Sequence, residues 1–184
     1  QYADPLASVG VGSGADAVQL GSATADGVSS VAIGKSANVN SKLEAVAIGN
    51  NADVVRDLGV AIGTNSEVQN FNGGGVAIGA YAKTTGGFAC AIGSGTSTNT
   101  GAWAQLYGTS IGTDSYGGSS GTGVGAYASG TGSQSTALGM YAIANHTNAM
   151  ALGSSATTTS NNQIHLGNTS ITDLRCQDTS ISAV

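Results

Sequence analysis

Bulky apolar and small residues alternate in a four-residue phrase that returns along the chain: Val31-Ala32-Ile33-Gly34, Val46-Ala47-Ile48-Gly49, Val60-Ala61-Ile62-Gly63 and Val76-Ala77-Ile78-Gly79. Looser copies end at Gly12, Gly21, Gly93, Gly112, Gly125, Gly139, Gly153 and Gly167, so the closing glycines recur about every fourteen residues. Alternation at period two marks a strand, and its return at a fixed longer interval marks a solenoid. The pattern predicts about twelve coils in one domain spanning residues 9–170. A lead segment, 1–8, precedes it, and a tail, 171–184, follows.

Three residues after most of these glycines stands another small residue, among them Ala37, Ala52, Ser66, Ala82, Ser115 and Ala128. It reads as the entry to a second short strand, reached through a tight turn that glycine allows. Each coil is then two short strands and two connections, stacked on its neighbours as a flattened parallel β-roll. Helix does not fit, because glycine in every fourteen-residue window costs about 1 kcal/mol each time in a helix interior.

One strand face carries the Val and Ile residues. The other carries a stripe of small ones: Ala32, Ala47, Ala61, Ala77, Ala91, Ser110, Gly123, Ala137 and Ala151. A single layer of Val and Ile buries too little surface to order so many Gly and Ala residues, so further burial is expected from other copies of the chain. The small stripe is the expected subunit contact, since it permits close approach; the alternative is that it relieves crowding inside a narrow roll. Thr84 is expected on a loop, where enlargement should matter little.

Composition narrows the classes. Charged residues make up 8% of the chain and the net charge is −5 with five Lys and Arg, which removes the basic footprint of a nucleic-acid or anionic-membrane binder. No apolar run approaches the twenty residues of a membrane helix, and no leader is visible. Cys90 and Cys176 fall too many coils apart to pair within one chain, so both are expected as free thiols, Cys90 as a small apolar filler in a position otherwise held by Val.

The Val-Ala-Ile-Gly phrase, followed by Ala or Ser at a spacing near fourteen, resembles the head repeat of trimeric autotransporter adhesins and related phage fibres over roughly residues 9–170. That resemblance implies a left-handed parallel β-roll and a homotrimer with its rolls side by side. The stretch from Asn162 to Gln177 resembles the segment that precedes the self-cleaving intramolecular chaperone of many phage tail fibres. The resemblance therefore implies first a phage tail-fibre segment on a virion, contacting the host cell surface. The alternative is the head of a bacterial cell-surface adhesin that binds host matrix or cells.

Candidate chemistry is sparse. Two histidines, His146 and His165, accompany no cluster of carboxylates or thiols at metal-ligand spacing, so no catalytic, cofactor or metal residues are assigned and no enzyme is expected. The position after each closing glycine is too mixed for the flat threonine rank of an ice-binding solenoid. What remains is the longest interval, from Gly93 to Gly112, which holds the chain's one Trp, Trp103, with Tyr107; Tyr116 follows in the next coil. Added length on a rigid scaffold is where binding is usually placed, and aromatic rings suit the apolar faces of sugars. Trp103, Tyr107 and Tyr116 are the candidate contacts with a host surface glycan or protein receptor. Against this stands packing of Trp103 over its own loop or into a subunit cleft. Tyr81, Tyr127 and Tyr141, each two residues past a closing glycine, read as a structural ladder.

Overall fold

A computed structural model describes residues 18–27, 29–39, 42–69, 73–97 and 100–173. Its strands form two parallel sheets, and no helix occurs among the described residues. The first sheet has eleven strands, stacked in chain order from Val18–Leu20 to Ile164–Leu166; the second has eight, from Thr24–Ala25 to Ser129–Gly130. Bridges from Ser129 to Ile143 and from Ile143 to Thr157 carry the second stack two coils further. The result is an all-β parallel solenoid of about ten turns. The first of the expected twelve coils, ending at Gly12, lies outside the described residues.

Every phrase stacks on the next in register: Val46 on Val60, Ala47 on Ala61, Ile48 on Ile62, and again one coil on. The closing glycine turns the chain at the first corner. Gly63 has φ of 133°, and a Cβ there would stand 2.5 Å from the carbonyl oxygen of Gly79 in the next coil. Only glycine meets both conditions. Two residues later the chain is again left-handed, now with side chains such as Asn51 and Asn65, both at φ of 53°. Asn tolerates this region, and here it adds a ladder bond, Asn51 Nδ2 donating to Asn65 Oδ1 at 3.1 Å.

The expected assignment of the two strand faces is reversed. Ala32, Ala47, Ala61 and Ala77 are fully buried inside the roll, opposite Val39, Val54 and Val68 of the second sheet, while the flanking Val and Ile residues face outward and are half-exposed. The small stripe is therefore the core. A corner of four residues brings the two sheets so close that Ala or Ser opposite Val fills the space between them. In later coils the interior narrows further: the inward residues of the second sheet become Ala104, Gly117 and Gly130, and a Cβ on Gly117 would collide with the Thr109 carbonyl of the facing strand.

Two smaller expectations change with it. Thr84 is not on a loop but inward and fully buried, in the column of Val54 and Val68, its hydroxyl without a hydrogen-bond partner. Cys90 is a free thiol, yet it lies half-exposed in the outward row instead of filling the core, and partial burial raises its pKa. Cys176 lies outside the described residues.

Candidate binding face

The outward positions of the second sheet form one continuous row. Asn38, Asp53, Glu67, Lys83, Trp103 and Tyr116 occupy the first place of successive strands, each in Cα register with the next. Parallel strands place neighbours in such a row about 4.8 Å apart, close enough for each side chain to touch the next. Asn38 Nδ2 donates to Asp53 Oδ1 at 2.8 Å, and the Lys83 ammonium meets Glu67 Oε2 at 2.7 Å. Gln69, two residues along the chain from Glu67, donates to Glu67 Oε1.

Trp103 belongs to this row and not to the inserted loop. Trp103 stands ten positions after Gly93, where Lys83 stands four after Gly79, and the excess precedes the strand Trp103–Ala104. Within that excess, the Thr100 hydroxyl accepts from the amides of Thr96 and Ser97 at 2.8 and 2.7 Å, closing a small turn. The Trp103 ring is held on both sides. Its Nε1 donates to Thr85 Oγ1 at 3.0 Å, and it meets Tyr116 edge-to-face with centroids 5.3 Å apart. Trp103 remains 36% exposed, and burial raises the Tyr116 pKa.

Of the three candidate contacts, then, Trp103 and Tyr116 come together and Tyr107 does not join them. Tyr107 sits at the opposite corner, at φ of 55°, and stacks on Phe88 with rings 3° from parallel and centroids 5.9 Å apart. Phe88 and Tyr107 each stand two residues before an outward residue of the first sheet, Cys90 and Thr109, so they flank that sheet's face. Of the three tyrosines expected to form a ladder, Tyr127 and Tyr141 stack 4.8 Å apart, while Tyr81 stands three coils earlier and is not part of that stack. His165 takes the inward place of the last strand, in register with Ala151, and His146 Nδ1 lies 3.2 Å from Thr158 Oγ1. Among the described residues no group of three or more His, Cys, Asp or Glu could hold a metal ion, and no helix is long and apolar enough to cross a membrane.

No protein-family pattern and no curated protein matches the chain. A solved structure does. The roll is similar to the collagen-binding domain of the Yersinia adhesin YadA. The likeness covers 77% of this chain and 76% of that one, at 25% identity and a TM-score of 0.65. The YadA domain and this chain thus share the β-solenoid, and the phrase that resembles an adhesin head repeat lies on the matching fold.

Asp53 yields a test of the row's energetics. Its carboxyl pKa is raised, chiefly by desolvation and further by Glu67 one rung away, against the lowering effect of the Asn38 amide. A carboxyl with a raised folded-state pKa is favoured in its protonated form by folding, so its charged form subtracts stability as pH rises through the carboxylate range. Asp53→Asn is expected to raise the thermal midpoint at pH 7 and to flatten its decline between acid and neutral pH. Unchanged melting at pH 7 would mean that the ionised carboxylate is not penalised.

Proposed function

We propose that this chain is the adhesive, non-enzymatic head of a homotrimeric surface fibre, with residues 9–170 as the roll. The observation that carries the reading is the outer face of the first sheet. One column of that face holds an aliphatic residue in every coil from Ile33 to Leu166, and Ile92, Ile111, Leu138 and Leu166 are 37–48% exposed. Contiguous apolar surface of that extent marks a protein contact. Side-by-side packing of three rolls covers it and supplies the burial that a thin roll lacks on its own. Leu58, Phe88 and Tyr107, all exposed at the margin of this face, extend the same contact. The likeness to a YadA domain and the head-repeat phrase both support an adhesive role at a cell surface, toward host matrix or cells.

A second reading places the same trimer on a virion. It rests on the stretch from Asn162 to Gln177, which resembles the segment before a phage fibre chaperone; residues 174–177 of that stretch lie outside the described residues. The trimer is tested by light scattering, which should return three times 17.7 kDa. Adhesion of the purified trimer to collagen-coated surfaces and cultured cells is expected of the first reading, and adhesion to bacterial cells of the second. A folded monomer would overturn the packing, and failure on all three surfaces would overturn the adhesive role.

A further inference from the structure

We infer that Glu67, Lys83, Trp103 and Tyr116, with Gln69 and Gln105 beside them, form a binding strip for an extended, uncharged glycan lying along the roll axis at about one sugar per coil. This rests on the proposed trimer, because covering the first sheet's outer face leaves the second sheet's outer face turned to solvent.

The periodicity comes first. Successive rungs repeat about every 4.8 Å, close to the advance of one sugar in an extended β-linked hexose chain, so one ring can address one rung without bending. The chemistry follows rung by rung. Trp103 offers an exposed ring already fixed by Thr85 and Tyr116, and the C–H face of a pyranose packs on such a ring. Little side-chain freedom is left there to lose on binding. Sugar hydroxyls both donate and accept, and the neighbouring rungs present both kinds of group: ammonium protons on Lys83, carboxylate oxygens on Glu67, and amides on Gln69 and Gln105. Gln105 and Gln69 lie on the same side of the row, their backbone amides bonding to Gly117 and Thr84 of the next coils.

Charge selects among glycans. Asp53 and Glu67 stand on adjacent rungs with Lys83 as the row's one cation, in a chain of net charge −5, which repels sulfated or sialylated chains. The face also carries little apolar surface for a protein partner. Its exposed large apolar residues are Trp103 and, two rungs past Tyr116, Ile143. Like charges kept opposite each other on neighbouring strands cost stability. Three such strips around one trimer would add avidity on a surface dense in the same glycan.

The chain's one Trp makes the site its own reporter, since indole emission can come only from Trp103. The purified full chain is titrated with cellohexaose, chitohexaose, β-1,4-mannohexaose, their monosaccharides and heparin, following emission and, in parallel, heat of binding. At least one neutral hexasaccharide is expected to shift the emission saturably and to bind at least tenfold more tightly than its monosaccharide. Trp103→Ala should abolish that binding. Tyr116→Ala and Lys83→Ala should each weaken it roughly tenfold, the weight of one anchor in a small interface. Trp103→Phe keeps a ring and should bind measurably by calorimetry without the optical signal, and Thr64→Val, at an exposed corner position, should bind like the parent.

Neither signal nor heat with all three hexasaccharides, tighter binding of heparin, or undiminished binding by a trimeric Trp103→Ala would each overturn the strip. Mass and adhesion measured on the same samples keep the two readings apart. A trimer that adheres but ignores the hexasaccharides loses only the glycan site, whereas a parent that is monomeric loses the trimer itself.

Discussion

Gly63→Val is expected to lower the thermal midpoint sharply, at a cost of about 2–6 kcal/mol. Two independent penalties meet at this position. The backbone stands at φ of 133°, where a β-branched side chain is strained by about 1–3 kcal/mol. The added Cβ would also press on the carbonyl of Gly79, 2.5 Å away. That carbonyl is backbone of the next coil and cannot rotate aside like a side chain, so the coils must separate. Separation strains the bonds that tie them, Gly63 amide to Ile48 carbonyl and Gly79 amide to Ile62 carbonyl, both 2.7 Å. Overpacking of this kind adds about another 1–3 kcal/mol. Thr64→Val, one residue on at an exposed position, should change the midpoint little. Thermal melts followed by circular dichroism would decide, and a Gly63→Val protein melting close to the parent would show that the corner is plastic.

The glycine interval made the architecture legible. It located the coils, the first corner and the second strand, because a residue that alone can occupy a backbone conformation leaves an unambiguous mark. The faces were not legible in the same way. Val-Ala-Ile-Gly states that two faces differ in size but not which is inside, and the habit that large apolar residues go inward fails where two sheets are joined by so short a corner. The second strand held the missing information. Its inward residues are themselves Val39, Val54 and Val68, and two facing columns of bulky residues would not fit between sheets joined by so short a corner.

Trp103 was misread for a related reason. Counted forward from Gly93 it falls in an insertion. Counted back from the following closing glycine, Trp103 stands nine residues before Gly112, as Tyr116 stands nine before Gly125, which sets the two rings in one row. An insertion shifts everything before the next fixed corner, so register is best read from the nearer side. The separation of Tyr107 from Trp103 follows from the same count, since Tyr107 precedes the first-sheet strand Thr109–Ile111 and sits at its corner. The contact between Phe88 and Tyr107 joins two left-handed corners one coil apart, a pairing that no linear motif announces.

Ala61 and Ile62 are neighbours in the chain and opposites in the roll, which turns the reversal of faces into an experiment. Ala61 is fully buried between the sheets, so Ala61→Leu should overpack the roll itself and destabilise each protomer by about 1–3 kcal/mol, whatever its assembly state. Ile62 faces outward and is half-exposed, so an aspartate there can be hydrated in an isolated protomer. In a packed trimer the same carboxylate would be removed from water in three copies, at several kcal/mol for each unpaired charge. The double variant Ile62→Asp with Ile78→Asp, stacked in register on the same column, doubles that load. It is expected to abolish the trimer and leave a species of 17.7 kDa in light scattering, with the β-sheet circular dichroism signal retained at low temperature. A double variant that remains trimeric would move the contact off the first sheet's outer face, and would leave the second sheet's face as the surface the subunits share, in direct competition with the glycan strip.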